Sequence, residues 1–178
     1  MSLPSNPFAE VLDALWRKID DQAGGAALLH AWANTHNPGV GLTSFRVDDT
    51  EGGGYPAGIN STESPALHIG NAPSQQYGWA VTRTLDLPEQ YQITGVVASR
   101  DQRDREEFLW LVLRALWYDY PRLLDSGSTA LTYIKRWQVM QAVRSVQVID
   151  GSDTPFWKFR IDVQVHMCFD LTNIMVSA

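Results

Sequence analysis

The side chains able to do chemistry are few and scattered. The histidines are His30, His36, His68 and His166, and none forms HxH, HxxxH or HExxH. His30 and His36 stand six apart with a helix end expected between them, so metal-ligand spacing is absent. The single cysteine, Cys168, excludes an intrachain disulfide and a cysteine-based zinc site, and fits a reducing compartment. No G-x-S-x-G nucleophile elbow occurs; Gly127-Ser128-Thr129 reads as a connection. Gly52-Gly53-Gly54-Tyr55-Pro56 lacks the Lys and the following helix of a phosphate cradle, and reads as a loop with backbone freedom. Paired carboxylates suit acid–base work, but each pair has a plainer place. Asp48, Asp49 and Glu51 fall in a solvated loop, Glu106 and Glu107 in a helix's first turn, and Asp150 and Asp153 in a hairpin turn. The turn Asp150–Asp153 lacks the ligand count calcium needs. The expectation is no catalytic residue, no cofactor and no metal ligand.

The elements that carry these residues follow from periodicity. Residues 1–7 form an N-terminal arm with Pro4 and Pro7. Phe8 to Asp20 reads as a helix capped by Asn6, with Phe8, Leu12, Leu15, Trp16 and Ile19 on one stripe. Ala26 to Trp32 fits a second, short helix. Gly, Asn, Ser, Thr and Pro then dominate, giving a loop insertion at about 34–64 in one α+β domain over 8–178. Pro65–Ile69, Trp79–Leu87 and Tyr91–Ala98 read as strands. Asp101 to Tyr120 is the principal helix; its centre, FLWLVLRALWY, is apolar nearly all round, which predicts burial on more than one side. Leu131 to Ala142 fits strand, helix or an irregular crossing segment. Val143–Ile149 reads as a strand turning through Asp150-Gly151. The clearest pattern is Trp157–Phe169, thirteen residues of strict alternation. Lys158, Arg160, Asp162, Gln164 and His166 fall on its polar face. At about 3.3 Å per residue it spans about 40 Å, more than a small domain usually needs.

Composition adds a bias toward contact with other chains. The chain has 178 residues, a formal net charge of −6 and only 19% charged residues, with seven Trp. Interface centres are poor in charge and rich in large aromatics. The acidic balance argues against broad binding to phosphate backbones. The mixed run Arg100–Glu107 suits a helix start or a rim of ion pairs, and Lys135, Arg136 and Arg144 suit the lining of a channel. No apolar run of 18 residues is present, so no membrane helix is expected, and the first residues lack the pattern of a secretory signal.

The fold class expected is α+β: a mixed or antiparallel sheet on two main helices, in the order α-β-β-α-β-β with a long C-terminal hairpin. With the opening helix, the proline-led strand Ser64–Gly70, the strand–helix unit Tyr91–Tyr120 and the closing hairpin, this order resembles the tail-terminator, or tail-completion, proteins of long-tailed bacteriophages. The resemblance implies a structural virion protein, not an enzyme, made in the bacterial host cytoplasm. It implies a homo-oligomeric ring, generally a hexamer, that caps the tail tube and joins it to the head or neck. The partners implied are a second copy, the tail tube protein and a neck or head-completion protein, with DNA at most passing through the lumen. Pro4, Pro7, Tyr55, Lys158, Arg160, Asp162, Gln164 and His166 are the candidate contact residues. A neck, adaptor or minor tail protein fits the same pattern, as does a small ligand-binding domain or enzyme whose aromatics line a pocket.

Overall fold

The computed structural model describes residues 6–47, 64–71, 79–81, 84–120, 122–147 and 154–170. Helix α1 (Pro7–Asp20) begins at its proline, and the Asn6 side chain accepts a hydrogen bond from Ala9 N at 3.1 Å. Its buried stripe is Val11, Leu12, Ala14, Leu15 and Ile19, with Phe8 part-exposed at its start. Helix α2 (Ala27–His36) is one turn longer than the expected short helix. His30 and His36 therefore share a helix, with no helix end between them. Strand β1 (Thr43–Val47) lies in the stretch read as loop. It escapes notice because it is short and flanked by turn residues, and its parallel partner β2 (Ala66–Asn71) is distant in sequence.

The remaining strands are β3 (Trp79–Val81), β4 (Thr84–Ala98), β5 (Ile134–Gln147) and β6 (Phe156–Asp170), and α3 (Gln102–Trp117) follows β4. Among the described residues the order is thus α-α-β-β-β-β-α-β-β, with three helices where two main ones were expected. The sheet runs β1-β2-β4-β6-β5, with β3 pairing β4 off that path. Only β1–β2 is parallel; the rest is antiparallel.

The expected strand Trp79–Leu87 is divided: Trp79–Val81 is β3, paired antiparallel with Thr84–Asp86, and the rest joins the expected strand Tyr91–Ala98 in β4, which continues through Pro88. Alongside β4, β2 covers Tyr91–Val96 and β3 covers Thr84–Asp86, so no described strand lies beside Pro88 on that side. Pro88 thus occupies a local edge, where a missing N–H is tolerated. The ambiguous segment resolves as strand: Ile134–Gln147 is continuous, with register shifts between Ile134 and Arg136 and between Val139 and Gln141. Those bulges break the alternation that identifies a strand in sequence. The pairing of β5 with β6 gives the expected C-terminal hairpin; its turn, with Asp150 and Asp153, lies outside the described residues.

The length of β6 also finds its explanation inside the chain. β4 pairs with it along all fifteen residues and β5 covers its other side. It is an interior strand, not an exposed edge. Its apolar row Phe159, Ile161, Val163, Val165, Met167 and Phe169 is buried against the helices. Phe108 of α3 meets Phe159 edge-on at 5.1 Å and stacks on Trp32 of α2 at 5.0 Å, which locks both helices to the sheet. Phe159 has room because Gly95 faces it across the ladder; a Cβ there would stand 2.1 Å from the ring.

Candidate interaction surfaces

No described helix covers the other face of the sheet, and the polar row of β6 lies on it. The register sets Thr94 beside Arg160, Gln90 beside Gln164 and Asp86 beside Cys168. The charges are paired within the sheet. Arg160 Nε lies 3.1 Å from Asp162 Oδ1, and Gln141 of β5 also donates to Asp162. Gln164 is only 7% exposed, and its Oε1 lies 3.3 Å from Gln138 Nε2 and 3.2 Å from His166 Nε2. Burial lowers the pKa of Lys158 and of His68, the latter on β2 with its Nε2 unpartnered. Pro7 is held inside its own fold, its carbonyl 3.5 Å from the Tyr133 hydroxyl. Of the remaining candidates, Pro4 and Tyr55 lie outside the described residues, as do the Gly52–Gly54 loop and Asp48, Asp49 and Glu51.

Two groupings approach catalytic geometry and stop short of it. Cys168, His166 and Asp86 share the helix-free face, and His166 Nδ1 lies 3.8 Å from Asp86 Oδ1. The other ring nitrogen is engaged by Gln164, so the thiol has no base aimed at it. Ser99, Asp104 and His36 meet where α2 ends and α3 begins. Here the carboxylate sits in the middle: Ser99 donates to Asp104, and His36 Nε2 lies 3.4 Å from the same carboxylate. A nucleophile needs the imidazole between serine and carboxylate. No cluster of three or more His, Cys, Asp or Glu suited to a metal is found among the described residues.

The outer side of α3 is different in kind. Phe108, Val112 and Ala115 point into the core, so Trp110 and Trp117 emerge opposite, 58% and 48% exposed. Arg114 is exposed between them. The expectation that α3 is buried on more than one side is corrected: it buries one broad face only. The sequence signal was available, since Trp110 and Trp117 are seven apart and stand on the helical wheel opposite Phe108 and Val112. On its flank, Glu106 joins Arg105 at 2.8 Å and Arg144 of β5 at 2.7 Å. Desolvation works against ionisation of Glu106, but hydrogen bonds from both arginines prevail and its pKa is lowered.

A cleft of about 440 Å³ opens between α1 and the residues following α3. Its two buried-side cations are already spent. Arg17 Nη1 donates to Leu124 O at 3.0 Å, and Lys18 Nζ donates to Tyr118 O at 2.8 Å. Lys18 also lies 5.7 Å from the Trp137 ring centre, and burial lowers its pKa, offset in part by Asp119. Exposed Asp21 and Asp119 remain at the mouth. Gly25 allows the α1–α2 turn to approach Tyr118, since a Cβ there would meet Tyr118 Cβ at 2.4 Å. The described non-glycine residues with left-handed backbone, Asp119 and Ser128, both line this cleft.

No family model matches the chain. No curated protein matches it either. No described helix is long and apolar enough to cross a membrane.

Proposed function

We propose that this chain is a structural subunit that works by assembly, as a ring that caps a bacteriophage tail tube and joins it to the head or neck. The observation that carries this reading is the aromatic outer side of α3. Antiparallel sheets tolerate one wetted face, so the paired polar face of β6 requires no partner. Two half-exposed tryptophans on one helix stripe are another matter, because burying each removes a large apolar area from water. Trp and Arg side by side are also the residues that dominate contact energies. The layout of one helical layer on a sheet ending in a long antiparallel hairpin supports a tail-terminator reading, as it does a neck, adaptor or minor tail position. A neck or adaptor position remains the neighbouring alternative.

The test is to mix the purified chain with tail tubes lacking their cap and to image the product. The expected result is a ring, six-fold or near it, at one end of the tube. A chain that stays monomeric at about 100 μM, well above the micromolar range of many specific contacts, and never joins tubes or particles overturns the proposal.

A further inference from the structure

We propose that the α3 stripe Trp110–Arg114–Trp117 of one copy docks into the cleft between α1 and residues 118–119 and 122–128 of the next copy. Such docking presupposes the self-assembly proposed for the chain. Three features support the pairing of these two surfaces. The first is charge. The stripe carries Arg114 between its two tryptophans, and exposed Arg103 and Arg144 beside it stand against Glu106 and Glu107, an excess of one positive charge on a chain of net charge −6. The cleft leans the other way: Asp20, Asp21, Asp119 and Asp125 face Arg17, Lys18 and Arg122, and Arg17 and Lys18 already donate to carbonyls. Complementary fields favour this contact and oppose stripe meeting stripe.

The second feature is shape. Trp110 and Trp117 stand about 10 Å apart along the helix, and the cleft, at about 440 Å³, lies in the size range that holds a large aromatic group. The third is that stripe and cleft are distinct surfaces of one molecule. A contact between unlike surfaces repeats from copy to copy and closes as a ring when the rotation permits, whereas a self-complementary patch stops at two.

Two variants separate the halves of the contact. Trp110→Ala with Trp117→Ala removes the stripe and keeps the cleft. Asp21→Lys with Asp119→Asn reverses the cleft's acidic excess and keeps the stripe; Asn is chosen because it tolerates the left-handed backbone at Asp119, φ 51°. Circular dichroism and thermal melts establish that both fold. Native mass spectrometry then reads their assembly. Each variant alone is expected to lose self-association by at least about tenfold. Mixed in equal amounts, they are expected to form one-to-one pairs and nothing larger, since each supplies the half the other lacks. If wild type forms rings and either variant does so equally well, this interface is wrong while the ring survives. If both variants are monomeric and the mixture stays monomeric, the complementarity is wrong. If wild type itself never associates, the ring reading falls with it.

Discussion

At the residue scale, the least ordinary ionisable groups are two tyrosines near the start of α1. Tyr91 is almost wholly buried, its hydroxyl 3.4 Å from Phe8 O, and burial together with the charge of Glu89 pushes its pKa up. Burial and the hydrogen bond to Glu10 at 2.9 Å do the same to Tyr133. A folded pKa above the ordinary 10.0 means that the stabilisation is whole below pH 10.0 and is lost as pH rises beyond it. Lys18 acts in the opposite sense. Its folded pKa is lowered, so stability rises with pH between that value and the ordinary 10.5. Past 10.5 only the tyrosines still contribute to the slope among these three. Urea midpoints taken from about pH 10.5 to 11.5 should therefore fall, and Tyr91→Phe should make that fall shallower. An identical slope in the variant would show that Tyr91 ionises freely in the folded chain. Nothing in the residue pattern revealed this pair, because Tyr91 and Tyr133 come together only through the sheet.

At the element scale, the clearest constraint is steric. Gly95 in β4 leaves the space that the Phe159 ring occupies, and Phe159 in turn supports Phe108 and Trp32. Gly95→Ala should cost about 1–3 kcal/mol, the usual range for overpacking a tight core. A urea titration reads this as a lower midpoint at unchanged slope; a loss under about 0.5 kcal/mol would mean that the ring moves aside easily. The same scale shows what the sequence disclosed. Helix α1, α3 and β6 were legible because a cap or a long period fixes each locally. β1 was not, since a five-residue strand between turn residues takes its identity from β2. β5 was legible only in its second half, because bulges near Lys135 and Met140 shift its faces. The polar row of β6 was placed correctly on one face, yet the strand's interior position depended on two partners that sequence alone does not assign. Of the two surfaces, the α3 stripe was readable from spacing, whereas the cleft joins α1 to residues about a hundred positions later.

At the scale of the whole molecule, the sheet has one long strand at its rim, β5, and that rim is obstructed. The Trp137 carbonyl, turned away from β6, accepts from the Tyr120 hydroxyl at 3.0 Å. Bulges and the cations Lys135, Arg136 and Arg144 occupy the same strand. Such devices discourage strand-to-strand growth. Tyr120→Phe should release the Trp137 carbonyl and raise thioflavin-positive aggregation on prolonged incubation, measured against wild type at equal concentration; no increase would mean that the bulges and cations suffice. The obstructed rim has a consequence for timing. Backbone pairing recruits almost any extended peptide, including nascent chains of the same protein. With that route hindered along β5, contact of this rim with another chain is left to side chains, and these come together only in a finished fold.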